Sequence, residues 1–113
     1  MPDAIEVFNE GVARFQENDL GLALEAFDRA LQLDSTLAVA YNGRAIVHAL
    51  NGDMDHAVAD STQALQLAPF EAKFYRTRGL IYRELGDFES AESDLTKAGH
   101  LGYKKRKNSS PWK

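Results

Sequence analysis

The sequence predicts an all-α protein, built as a solenoid of three stacked antiparallel helix pairs. Related residues recur every 34 positions through nearly the whole chain of 113 residues. Apolar residues within each unit follow the spacing of an amphipathic helix, and a period of this length is typical of stacked helical units. The recurrent columns are Gly11, Ala45 and Gly79; Ala23, Ala57 and Ala91; Asp19, Asp53 and Asp87; and Leu33, Leu67 and Leu101.

Six helices are expected, over residues 4–17, 21–33, 38–51, 54–67, 72–85 and 88–100. Asp3 is the expected N-cap of the first helix, because a carboxylate accepts the free N–H groups of a first turn. Asp19, Asp53 and Asp87 precede the second helix of each pair, and we assign them the same role. Pro69 cannot continue a helix, so it closes the second unit. The small residues at positions 11, 45 and 79 would let the paired helices approach closely.

Two columns bring opposite charges onto the facing helices of one unit. Arg44 is expected to pair with Asp60 in the second unit, and Arg78 with Asp94 in the third. The first unit has neither residue type at these positions. We therefore interpret these charges as structural ion pairs.

The columns resemble those of the tetratricopeptide repeat family, whose pattern places aromatic residues, small residues and a proline at set offsets. The matching residues are Tyr41, Ala45, Ala57, Ala64 and Pro69; Tyr75, Gly79, Tyr82, Ala91 and Ala98; and Gly11, Ala23, Phe27 and Ala30. Val7, Ser61, Ser35 and Tyr103 depart from the pattern. The resemblance implies a right-handed superhelix and a non-catalytic module for protein binding.

We expect a single domain over residues 1–103, with units at about 4–37, 38–71 and 72–105, followed by a basic tail at 104–113. The tail, KKRKNSSPWK, holds five of the 13 lysines and arginines, although the whole chain has a formal charge of -4. In the third unit Glu92 replaces Leu24 and Val58 of the earlier units, and Gly99 replaces a leucine. We expect this less apolar face to end the array.

Residues for catalysis or metal binding do not form a recognisable set. The chain has no cysteine, and His48, His56 and His100 lack the spacing of a metal site. We predict no enzyme activity, no metal, no cofactor and no small-molecule substrate. The start of the chain is acidic and no apolar run approaches the roughly 18 residues of a membrane span. We therefore expect a cytoplasmic protein.

The resemblance implies that partners bind in a concave groove lined by the first helix of each pair. Such a groove would be apolar at one end and basic at the other, which favours an apolar peptide or helix with an acidic end as the partner. The predicted partner-binding residues are Phe8, Asn9, Val12, Phe15, Asn42, Ile46, Leu50, Lys73, Arg76, Leu80 and Arg83.

A different ligand is known in part of the family. Members that hold the carboxylate-ending tails of heat-shock chaperones use a lysine, two asparagines, a lysine and an arginine as a clamp. The matching positions here are Phe8, Val12, Gly43, Lys73 and Thr77. Because Lys73 alone fits, we predict that this chain does not take that ligand.

Two other hypotheses remain open on the sequence. A second copy of the chain could cover the groove or an end face, with Trp112 as an anchor, which would make the protein a homo-oligomer. The KKRK run at 104–107 could contact nucleic acid or an anionic membrane, although a solubilising role is the favoured interpretation. The leading prediction stays a protein-binding adaptor or scaffold.

Overall fold

The computed structural model describes residues 2–103, and the expected basic tail at 104–113 lies outside this range. Six α-helices follow one another: α1 (Ala4–Gln16), α2 (Leu20–Leu33), α3 (Ala38–Leu50), α4 (Met54–Leu67), α5 (Ala72–Glu84) and α6 (Phe88–His100). Each begins and ends within one residue of its predicted bounds. The predicted all-α architecture of three helix pairs is confirmed, and the described residues contain no strand. No helix within this range is long and apolar enough to cross a membrane.

Aspartates cap four of the helices as predicted. The carboxylates of Asp3, Asp19, Asp53 and Asp87 each accept a hydrogen bond from the backbone N–H three residues later, over 2.9 to 3.3 Å. These bonds satisfy backbone donors that a first helical turn leaves free. The helices α3 and α5 start without a side-chain cap.

Left-handed backbone closes the turn inside each pair. Asn18, Gly52 and Gly86 occupy one column and have φ angles of 64°, 82° and 81°. This conformation reverses the chain after the first helix, and glycine adopts it without the steric cost of a Cβ atom. The turns therefore return α2, α4 and α6 against their partners.

The small-residue column permits close packing within two of the pairs. A Cβ atom on Gly11 would lie 2.6 Å from Cε1 of Phe27, and one on Gly79 would lie 2.9 Å from Cγ of Leu95. Both distances are shorter than van der Waals contact. Glycine is therefore needed for the observed separation of α1 from α2 and of α5 from α6.

The two predicted ion pairs are present. Arg44 donates from Nε and Nη2 to the two carboxylate oxygens of Asp60, over 2.7 and 2.9 Å. Arg78 and Asp94 form the same pair at the same two distances. Each pair joins the first helix of a unit to the second, so it fixes the two helices in register.

Neighbouring units pack through apolar residues of the second helix. Leu31 of α2 packs in a cluster with Ala40 of α3, and Leu65 of α4 packs with Phe74 of α5. The equivalent position in α6 is Gly99, which is exposed and has open space around it. Glu92 is exposed as well. The third unit thus presents a polar surface where the first two present packing surfaces.

Candidate functional site

A groove of about 330 Å³ crosses the first helices of the three pairs. Aromatic and aliphatic side chains form most of its surface, with three polar side chains among them. Its lining residues are Phe8, Val12, Phe15, Gln16, Phe27, Val39, Asn42, Gly43, Ile46, Lys73 and Phe74. We call this surface the groove below.

Helical spacing places these side chains on one surface. Phe8, Val12 and Phe15 follow one another at intervals of four and three residues on α1, and Val39, Gly43 and Ile46 do so on α3. Residues at these intervals lie on the same side of a helix. Phe8, Val12, Phe15 and Ile46 remain partly exposed, so their apolar surface is open to a ligand.

Polar groups are few in the groove and differ in character. Lys73 is exposed, and among the described lining residues it carries the single formal charge. Oδ1 of Asn42 is buried, and no group within residues 2–103 donates a hydrogen bond to it. The electrostatics of the groove therefore favour an anionic group near α5.

The predicted partner-binding residues divide into two sets. Those that line the groove are Phe8, Val12, Phe15, Asn42, Ile46 and Lys73. The residues outside it are Asn9, Leu50, Arg76 and Arg83, all of them exposed except the partly buried Arg76. Leu80 is 4% exposed and belongs to the core, so we withdraw it as a contact residue. The role of the others stays a prediction.

The expected basic end of the groove is formed differently from the prediction. The guanidinium of Arg76 lies 4.8 Å from the centre of the Tyr103 ring, in a cation–π contact. Neither Arg76 nor Arg83 lines the groove. Of the three predicted basic residues, Lys73 at the start of α5 is the one that lines it.

Sequence reasoning missed Phe27 as a groove residue. The other lining residues within the described range belong to α1, α3 and α5, whereas Phe27 belongs to α2. Its ring reaches the groove past Gly43, where an added Cβ atom would lie 2.8 Å from Cζ of the ring. The signal in the sequence was Gly43, because a glycine opposite Phe27 leaves room for the aromatic ring to reach the groove.

His48 and His56 form a polar cluster with Asp53, and neither histidine lines the groove. The rings of His48 and His56 lie 5.3 Å apart, and Nδ1 of His56 lies 2.6 Å from Oδ2 of Asp53. This hydrogen bond lowers the pKa of the Asp53 carboxyl below its usual value. Within residues 2–103, no group of three acidic, histidine or cysteine side chains is arranged to hold a metal ion.

Comparison with known proteins relates the third unit and the overall fold to one repeat family. The sequence model of the tetratricopeptide repeat family matches residues 72–98, which lie in the third unit. The second TPR of Spaghetti (RPAP3), in a structure bound to the HSP90 peptide SRMEEVD, superposes with a TM-score of 0.83 at 26% identity. The match covers 88% of this chain and 92% of that one. The third unit of this chain therefore matches the tetratricopeptide repeat (TPR) family, and the described residues have the fold of TPR domains.

Two further similar proteins differ in how much they share with this chain. The TPR domain of Arabidopsis OM64 has a TM-score of 0.83 at 23% identity, covers 88% of this chain and 82% of its own, and supports the fold. The NADPH oxidase activator of Dictyostelium discoideum is 40% identical over 53 residues, which is 47% of this chain. The chain spans 9% of the length of that protein.

The residues of this chain at the clamp positions have a different chemistry from the family clamp. Phe8 and Val12 add apolar surface to the groove, and Gly43 adds no side chain. Thr77 is buried, and its hydroxyl donates to the backbone carbonyl of Lys73 over 3.0 Å. Of the five clamp positions, only Lys73 therefore offers a charged group, its ammonium, to an anionic ligand. That this chain does not take a carboxylate-clamp ligand was predicted from the residue types at these positions, and it stays a prediction.

Proposed function

We propose that this protein is an interaction module whose groove binds an apolar segment of another protein. The observation that carries the proposal is the groove itself, because Phe8, Val12, Phe15 and Ile46 meet there while partly exposed. Complete burial of such a side chain stabilises a complex by about 1.5 to 3 kcal/mol. A helix or an extended peptide with apolar side chains would supply that burial.

Charge selects among such partners. Lys73 lies at the α5 end of the groove and is exposed. An acidic residue in the partner would pair with it, whereas a basic residue would be repelled. The proposed partner is therefore apolar with an acidic residue at one end.

Binding of short labelled peptides to the full chain tests this function. We expect a peptide with leucines and glutamates to bind, and binding to be lost in Phe8→Glu and Ile46→Glu, because each places a charge among apolar side chains. Ile5→Glu is the matched control, since Ile5 is 59% exposed and does not line the groove. Far-UV circular dichroism should show the same helix content in all variants. Unchanged peptide binding by the Ile46→Glu variant would show that the groove is not the binding site.

A second copy of this chain is the alternative occupant of the groove. Light scattering over a range of concentrations distinguishes the two, because an open groove predicts a monomer and self-assembly predicts a larger mass that Ile46→Glu reduces. The proposed anchor Trp112 and the KKRK run lie outside the described residues. Their roles in self-assembly or in binding nucleic acid or membranes stay predictions.

A further inference from the structure

The ring of Phe27 passes between two glycines to reach the groove. A Cβ atom on Gly11 would lie 2.6 Å from its Cε1 atom, and one on Gly43 would lie 2.8 Å from its Cζ atom. Real Cβ atoms do not approach ring carbons so closely. The ring is 2% exposed, so it is held from several sides. Glycine on both α1 and α3 is therefore required for this position of the ring.

The arrangement occurs at one of the two described junctions between units. At the junction of the second and third units, Ser61 stands in the column of Phe27, and Thr77 in that of Gly43. The hydroxyl of Ser61 donates to the carbonyl of Val58, and Thr77 is buried. The second junction thus lacks both the aromatic ring and the glycine opening.

We propose that the contact between Phe27 and Gly43 makes the groove specific for one aromatic side chain of the partner, seated between α1 and α3. This inference rests on the proposed function and adds the class of anchor residue. The ring of Phe8 lies 5.6 Å from that of Phe27, tilted by 33°, and Phe15 lines the same groove. Aromatic rings prefer such tilted or offset neighbours.

The occupant is a segment of another protein with an aromatic residue close to an acidic one. The aromatic residue meets the partly exposed rings of Phe8 and Phe15, and the carboxylate meets Lys73 across the groove. Phe27 is 2% exposed and acts by supporting the Phe8 ring from the core. Charge complementarity with Lys73 and the aromatic walls together define this partner. An aliphatic anchor would bury apolar area without the favourable ring contacts.

Gly43 determines this specificity through the space it leaves. Alanine at this position would bring its Cβ atom against Cζ of Phe27. On the side of α1 the ring already lies close to Gly11, where an added Cβ atom would be 2.6 Å from its Cε1 atom. Either the ring moves into the groove or α3 moves away from α2. Each change alters the site where the aromatic side chain of the partner binds.

Fluorescence anisotropy with labelled acidic peptides tests the inference on the full chain. The peptides share one sequence and differ in one central residue, which is tryptophan, phenylalanine, leucine or alanine. We expect the aromatic peptides to bind about three- to ten-fold more tightly than the leucine peptide, the factor that aromatic pairing adds to burial. Phe27→Leu should reduce this preference to within about two-fold. Gly43→Ala should weaken binding of every peptide that has an apolar anchor.

Gly99→Ala is the matched control for the glycine substitution, because Gly99 lies in α6 with open space around it. It should bind all four peptides as the unchanged chain does. Circular dichroism checks that each variant is folded. If Gly43→Ala does not fold, the peptide preference of Phe27→Leu alone tests the inference.

The outcomes separate the inference from the proposed function. Equal affinity for the aromatic and leucine peptides overturns the aromatic anchor and leaves the interaction module standing. Absence of binding by every peptide overturns the module. Binding that appears only after Trp112→Ala overturns the partner as occupant, because the chain would then supply its own aromatic residue.

Discussion

Arg44 and Asp60 form a forked pair in which two nitrogens of one guanidinium meet both oxygens of one carboxylate. The distances are 2.7 and 2.9 Å, and Asp60 is buried. The remaining terminal nitrogen, Nη1, donates over 3.0 Å to Oδ1 of Asp28, which belongs to the preceding unit. Pairing with Asp60 is the main reason that the pKa of Arg44 lies above its usual value. One side chain thus joins α2, α3 and α4.

The second junction repeats this arrangement with a weaker contact. Arg78 pairs with Asp94 within its unit, and its Nη1 lies 3.4 Å from the hydroxyl of Thr62 in the preceding unit. A carboxylate at the first junction is thus replaced by a neutral hydroxyl at the second. Within the described residues, the ion pair between units is the one from Arg44 to Asp28 at the first junction, where Phe27 also lies.

Removing the carboxylate of Asp60 should destabilise the fold strongly. Asp60→Ala leaves the half-buried guanidinium of Arg44 without its main partner, and we expect a loss of about 3 kcal/mol in the free energy of unfolding. Urea denaturation measures this loss. Glu10→Ala breaks the exposed pair with Arg29 and should cost less than about 1 kcal/mol. Similar costs for both substitutions would show that the buried pair has no special role.

Alanine at two helical glycines should change stability in opposite directions. Gly79→Ala forces a Cβ atom against Leu95, so it should lower the free energy of unfolding by about 1 to 3 kcal/mol. Gly99→Ala meets no neighbour and should raise it by up to about 1 kcal/mol, because alanine favours a helix. Thermal denaturation compares the two. A stabilising Gly79→Ala would contradict the packing argument.

The hydrogen bond between His56 and Asp53 should make part of the stability depend on acid pH. A carboxyl whose pKa is lowered on folding stabilises the fold above its unfolded pKa, about 3.9, and this contribution is lost as the pH falls through the lowered value. His56→Ala should raise the pKa of Asp53 towards its usual range. Carboxyl ¹³C NMR measures that pKa. His100→Ala should leave it unchanged, and an equal shift there would rule out the contact as the cause.

Reversal of the groove charge should reverse the preference for charged peptides. Lys73→Glu is expected to weaken binding of an apolar peptide with an acidic end about ten-fold and to favour its basic counterpart, because like charges then face each other. Isothermal titration calorimetry measures both affinities, and raised salt should reduce the difference. Arg83→Glu serves as the comparison, since Arg83 is exposed but does not line the groove. An equal effect of both substitutions would place the recognition outside the groove.

Local chemistry and the 34-residue period predicted much of the fold. Asp19 and Asp53 cap their helices because the free N–H groups lie within reach of a carboxylate three residues earlier. Arg44 and Asp60 were matched because their columns face each other in the helix pair that the period predicts. Such features depend on short sequence distances or on the repeat itself, so a single sequence contains them.

The tertiary structure decided how deeply each side chain is buried and which residues of different units contact each other. Val12, Ile46 and Leu80 share one column, yet Val12 and Ile46 line the groove and Leu80 is buried. A column fixes the direction of a side chain, whereas its exposure depends on what packs over it from elsewhere in the chain. Phe27 reaches the groove for the same kind of reason, because two helices with glycines approach its ring. The sequence by itself determined the helices, their caps and the pairing of the units, and the packing of those helices determined which side chains a partner can touch.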